Sequence, residues 1–124
     1  MMGKRKILIV DDEVDITDTL SFMLQARNFD VITANNGQDG LAKVKKEHPD
    51  LVILDISMPE MDGYNVCNKL RQDKDTKNIP IIMLTAKGET EAVIKSYESG
   101  ANDYVVKPFN LSTLISRINN CLMN

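Results

Sequence analysis

Five side chains able to do chemistry stand where apolar stretches of the chain stop. Asp11 and Asp12 follow the run Ile7-Leu8-Ile9-Val10, with Glu13 and Asp15 close behind. Asp55 follows Leu51-Val52-Ile53-Leu54, Thr85 follows the stretch from Ile79 to Leu84, and Lys107 follows Tyr104-Val105-Val106. One or two acids at a helix entrance cap its free N–H groups and complement its dipole. Four within five residues repel one another, and Asp55 adds to the repulsion if the runs end on one side. A bound divalent cation relieves it. Hard carboxylate oxygens suit Mg2+, which takes one or two carboxylates and keeps several waters. The same acids exclude a direct nucleotide or flavin site, because phosphate-binding loops after a first strand use glycines and backbone N–H groups. Any phosphate must arrive here through the metal.

Asp55 has the small Ser57 two residues on and Pro59 beyond it. Alone, it reads as a capping or turn acid. In company with the other four it reads as a carboxylate nucleophile of the kind that forms an aspartyl phosphate. That chemistry needs cations and donors around the phosphoryl oxygens. Lys107 offers a point charge and Thr85 a hydroxyl donor. Each is ordinary by itself, and their joint placement at run ends carries the reading. Pro108 follows Lys107. A cis bond there would turn the chain sharply and aim the lysine inward, but the sequence leaves the isomer open.

The elements that must position these groups are legible from periodicity. The runs at 7–10, 29–34, 51–54, 79–84 and 104–106 are short, continuous and rich in β-branched residues. Such runs form strands buried on both faces, as in a parallel sheet. Between them lie helical periods: Ile16, Leu20, Met23, Leu24 and Arg27; Leu41, Val44 and Lys45; Val66 and Leu70 after Gly63; Val93, Ile94 and Tyr97, stopped by Gly100; and Leu111, Leu114, Ile115, Ile118 and Leu122, with Asn110 as N-cap. A β-α alternation repeated five times implies right-handed crossovers and a parallel sheet covered on both sides. In such sheets ligands bind beyond the carboxyl ends of the strands, which is where all five residues fall.

The bulk properties agree. A chain of 124 residues, 43% hydrophobic and 27% charged, fits one domain with a core that needs no staples. A net charge of −3 argues against nucleic-acid binding by this domain itself. Cys67 and Cys121 lie far apart without a CxxC, which points to reduced thiols in a cytoplasm. His48, the one histidine, precedes Pro49 at a helix end and reads as a surface residue. No apolar run approaches a membrane span, and the short run after Lys4-Arg5-Lys6 meets acids too soon for a signal peptide.

Taken together and in order, these residues resemble the receiver domain of two-component response regulators. The set comprises Asp11-Asp12, Asp55, Met58-Pro59-Glu60-Met61-Asp62-Gly63, Thr85-Ala86, and Asp103-Tyr104 followed by Lys107-Pro108-Phe109. The resemblance covers nearly the whole chain, so residues 1–124 are read as a single receiver domain. It implies a flavodoxin-like, doubly wound α/β fold, (βα)5, with a five-stranded parallel sheet in the order 2-1-3-4-5. It implies that Asp55 accepts a phosphoryl group from a phosphohistidine on a histidine kinase or phosphotransfer protein, or from acetyl phosphate. Asp12, Asp55 and the backbone carbonyl of Ser57 would hold Mg2+, with Asp11 acting mostly through water. Lys107 would pair with a phosphoryl oxygen. Thr85 would move toward another, and Tyr104 would swing inward with it, changing the surface of the fourth helix, last strand and fifth helix. Ser57 and Lys87, two residues after the acceptor and the threonine, would influence phosphoryl lifetime.

Chemistry confined to the chain's own modification makes this a signalling protein rather than an enzyme. The downstream partner would be an effector protein or a fused output domain, with the receiver a monomer or a weak dimer on phosphorylation. The chain ends at Asn124, just after the last helical stripe, which fits either a free receiver or one cut from a longer protein. Relatives that dimerise through the switch surface often carry two acids before the tyrosine. Here the pair is Asn102-Asp103, with Arg117 left as a partner for an acid across such an interface. A phosphate-independent interaction module is the alternative, and it would normally have lost an acid, the acceptor or the lysine. An aspartyl phosphohydrolase would want a second carboxylate where Ser57 stands. Lys43, Lys45 and Lys46 read as a solvated helix face, Lys4-Arg5-Lys6 as solvated charge before the first strand, and Met61 and Met83 as packing residues.

Overall fold

Aliphatic runs without polar alternation have no face to show to water, so both sides must be covered. The computed structural model, which describes residues 3–86 and 90–123, places them in one sheet between two helical layers. The elements are β1 (Lys6–Val10), α1 (Val14–Gln25), β2 (Asp30–Ala34), α2 (Gly37–Glu47), β3 (Leu51–Asp55), α3 (Gly63–Gln72), β4 (Ile81–Thr85), α4 (Thr90–Glu98), β5 (Asp103–Val106) and α5 (Leu111–Met123). All strand pairs are parallel and the order is β2-β1-β3-β4-β5, the expected flavodoxin-like arrangement.

Successive strand residues feed opposite faces, and the two cores divide accordingly. Leu8, Val10, Val52, Leu54, Ile81 and Met83 pack with Val44, Val66, Cys67 and Leu70 from α2 and α3. Ile7, Ile9, Leu51, Ile53, Ile82 and Leu84 pack with Leu20, Leu24, Leu114 and Ile118 from α1 and α5. Asn110 caps α5 as expected, its Oδ1 accepting from the Ser112 N–H at 2.8 Å. Gly100 ends α4 with φ +103°, a conformation in which its N–H reaches Tyr97 O.

Several sequence expectations need correction. The apolar residues Ile94 and Tyr97 do not turn inward, and within α4 only Ser96 is buried. Serine can take that place because its hydroxyl donates to Ala92 O at 2.8 Å, leaving no unsatisfied polar group inside. Lys6 is not loose charge ahead of the sheet. It begins β1, and its Nζ lies 3.2 Å from a Glu47 carboxylate oxygen. The lysines of α2 do form a solvated face, on which Lys43 pairs with Asp39 and Lys45, its side chain 65% exposed, stands 2.7 Å from Asp73. α1 stops at Gln25, short of Arg27. His48, as expected, is exposed, at the left-handed end of α2.

Candidate functional site

Strand register decides where the run ends meet. Val10 pairs with Leu54, Asp55 with Leu84, and Thr85 with Val106. Asp11, Asp55, Thr85 and Lys107 therefore reach one carboxyl edge at nearly one level. The Lys107 N–H donates to Thr85 O at 2.6 Å, which ties the lysine to the end of β4. The Lys107–Pro108 peptide is cis.

The lysine ammonium sits among carboxylates. Lys107 Nζ is 2.9 Å from Asp11 Oδ2, 3.3 Å from Asp55 Oδ1 and 3.7 Å from Glu13 Oε1. The side chains of Asp11 and Asp55 are 0% and 5% exposed, so this cation balances two acids held out of water. Burial alone would lower the Lys107 pKa, but the hydrogen bond it donates to Asp11 and the charges of Asp55 and Asp11 outweigh it and leave it raised. Burial, reinforced by the Asp11 charge, pushes the Asp55 carboxyl up to about 6, against the pull of Lys107 and the Ser57 N–H. That N–H donates to Asp55 Oδ1 at 3.3 Å, and Asp11 Oδ1 accepts from the Glu13 N–H at 2.9 Å.

Asp11, Asp12 and Asp55 each bring a carboxylate oxygen within 4.8 Å of the others. An octahedral Mg2+ sets its ligand oxygens roughly 3–4 Å apart, so this all-oxygen set fits a small hard cation with little adjustment. Its positive charge would relieve the repulsion that raises the Asp55 pKa. Asp12 is exposed and the other two are buried, which leaves an open side for water.

Two further features bear on the site. Thr85 Oγ1 is buried and, among the described residues, is the one buried side-chain polar atom with no hydrogen-bond partner. Such a donor costs free energy unless an acceptor arrives. Gly63 has no room for a side chain, because a Cβ there would stand 2.4 Å from Asp55 O, so the loop after Asp55 folds tightly back on it. Tyr104 is half-buried, its ring 6.1 Å from that of Tyr97 and edge-on to it. Lys87 lies outside the described residues. Sequence reasoning missed Glu13 as a third partner of Lys107, although its place in the acid cluster was the available signal. It also left Arg117 open to a partner on another chain, whereas Nη1 lies 3.1 Å from both carboxylate oxygens of Asp103 in the same chain.

The family model for the response regulator receiver domain matches residues 7–119. The chain belongs to that family. This receiver is 50% identical over 119 residues to the probable transcriptional regulator ycf27 of Pyropia yezoensis, a match covering 96% of the chain and 48% of that protein. It is 41% identical over 113 residues to the DNA-binding dual master transcriptional regulator RpaA of Synechocystis sp., covering 91% and 47%. Its fold superposes on the Vibrio cholerae chemotaxis protein CheY4 with a TM-score of 0.92 at 35% identity, covering 97% of the chain and all of that structure. The receiver spans about half the length of the curated relatives it matches. Among the described residues no helix is long and apolar enough to cross a membrane.

Proposed function

We propose that this receiver is a phosphorylation-controlled switch in which Asp55 is the acceptor. The observation that carries the reading is the set of unmet charges and bonds around Asp55. A cation site is lined by three carboxylates, an ammonium is shared by Asp11 and Asp55, and the Thr85 hydroxyl has no acceptor. A phosphoryl group on Asp55 would bring the oxygens that these groups lack. Asp12, Asp55 and the Ser57 carbonyl would hold Mg2+, with Asp11 acting mostly through water. When bound, Mg2+ supplies the charge neutralisation that phosphoryl transfer between two anions requires.

The chain's own residues do the rest. An Asp55 carboxylate oxygen forms the new O–P bond as the N–P bond of a phosphohistidine breaks, and the pair of electrons leaves with the imidazole nitrogen. Lys107 turns its ammonium from Asp11 and Asp55 to a phosphoryl oxygen. Thr85 donates to another, and Tyr104 follows into the space beside it, altering the face made by α4, β5 and α5. The upstream partner is a histidine kinase or phosphotransfer protein in the cytoplasm. The output is an effector or a fused domain, and the names of the full-length relatives favour transcriptional control through DNA contacts outside the receiver. The test is intact mass after incubation with Mg2+ and acetyl phosphate. One phosphoryl group gained, Mg2+-dependent and absent in Asp55→Asn, supports the reading. No gain, with no beryllofluoride binding on the same sample, replaces it with a phosphate-independent interaction module.

A further inference from the structure

α4 is thinly held. Within it only Ser96 is buried, while Ile94 and Tyr97 are 52% and 47% exposed. Its carboxyl end is fixed from α3 by Arg71, which donates from Nε to Gly100 O at 2.8 Å and from Nη2 to Asn102 Oδ1 at 2.8 Å. Nearer its start, α4 meets Tyr64. The tyrosine hydroxyl donates to Ala92 O at 3.4 Å, the same carbonyl that accepts from Ser96, and Lys95 Nζ stands 4.6 Å from the ring centroid. A cation over a ring face at that distance is attracted by the ring quadrupole.

The neighbour of Tyr64 along the chain gives these contacts their significance. Gly63 donates its N–H to Ile56 O at 3.0 Å and leaves no space between its Cα and Asp55 O. The first turn of α3 therefore rides on the backbone of the acceptor residue without slack. A displacement of the 55–57 loop must carry Gly63, and with it the Tyr64 ring beneath Lys95. We propose that Tyr64 is a positioning residue that couples the acceptor loop to α4, by a route separate from Thr85 and Tyr104. The inference rests on the phosphorylation reading above. With Asp55 unmodified, Tyr64 holds the first half of α4 against α3. When the loop shifts, that hold weakens while Arg71 keeps the far end in place, so α4 moves about its Gly100 end.

Amide hydrogen exchange over residues 92–98 tests this, with and without beryllofluoride and Mg2+, in the wild type and in Tyr64→Leu, Tyr64→Phe and Lys95→Met. Without the mimic, Tyr64→Leu and Lys95→Met should speed exchange in α4 about two- to fivefold, the range an exposed cation–π contact supplies. Tyr64→Phe keeps the ring and should restore most of the protection. Exchange in β4 and β5 should be unchanged, and if Tyr64→Leu disturbs it, the other two variants carry the test. The mimic should change α4 exchange in the wild type and change it less in Tyr64→Leu, where the hold is already gone. Wild-type exchange in all variants overturns the proposal. So does faster exchange with a full response to the mimic, which would make Tyr64 a brace and no more. If the wild type itself fails to respond anywhere around Asp55, the phosphorylation reading fails, and with it any coupling.

Discussion

Asp55→Asn should make the protein more stable, not less, at neutral pH without divalent cations. A carboxyl that ordinarily titrates near 3.8 titrates at about 6 in this fold, first because it is buried and second because Asp11 lies beside it. The folded state thus binds the Asp55 proton more tightly than the unfolded chain does. Between these two pKa values the folded state holds more protons, so stability falls as pH rises, and above about 6 the loss is complete. At about 1.4 kcal/mol per unit of pH, the loss comes to about 3 kcal/mol. Asparagine has nearly the same shape, keeps an oxygen for Lys107 and carries no charge. It should recover up to about 3 kcal/mol at pH 8 and almost nothing at pH 4. With about 2.1 cal/mol/K of unfolding entropy per residue over 124 residues, that is a rise in Tm of roughly 10 °C. Urea unfolding followed by circular dichroism, with chelator present, measures it at both pH values. Mg2+ at ten times its Kd should then add about 1.4 kcal/mol to the wild type and much less to the variant. A variant no more stable than the wild type at pH 8, with an unchanged denaturant slope, would refute the claim that buried repulsion is stored at this site.

Lys107→Met removes what is, among the described residues, the only cation within 4 Å of Asp11 and Asp55, and leaves both buried. It should cost about 3 kcal/mol at pH 8 and less at pH 5, where protonation can neutralise a carboxylate, as thermal melts at the two values will show. Thr85→Val replaces a buried hydroxyl that has no partner by a methyl group of similar shape. Stability should hold or rise by about 1 kcal/mol in urea titrations, while the beryllofluoride-induced change in exchange around Tyr104 is lost. Arg71→Met strips donors from Lys77 O, Ile79 O, Gly100 O and Asn102 Oδ1 at once, and urea titration should show a loss of about 2–4 kcal/mol.

The parts of this site that could be read in the sequence are those fixed by strand ends. A parallel sheet makes the residue after each buried run arrive at one edge, so Asp11, Asp55, Thr85 and Lys107 could be brought together on paper before any contact was known. Register then supplied what periodicity cannot, since a slip of one residue would have turned Asp55 or Thr85 to the other face. Side chains that answer to distant backbone stayed illegible. Asn102 looked like a lost acid when compared with dimerising relatives. Its Oδ1 in fact accepts the Ile81 N–H at the start of β4 and the Arg71 guanidinium together, two bonds at 2.8 Å that no local pattern announces.

The contrast between the two ends of the sheet follows from the same physics. At the amino end of β4 and β5, Arg71 donates four hydrogen bonds to neutral oxygens, so the geometry is fixed whether or not Asp55 is charged. At the carboxyl end, one ammonium serves three carboxylates, one hydroxyl serves none, and burial beside Asp11 holds the Asp55 pKa up at about 6. Groups that are satisfied have nothing to gain by moving. Groups that are over-shared or orphaned gain from any ligand that brings oxygens and a cation, and they can be met in only a few arrangements. A helix joined firmly to the first end and weakly to the second, as α4 is, will turn that gain at Asp55 into displacement of its own start.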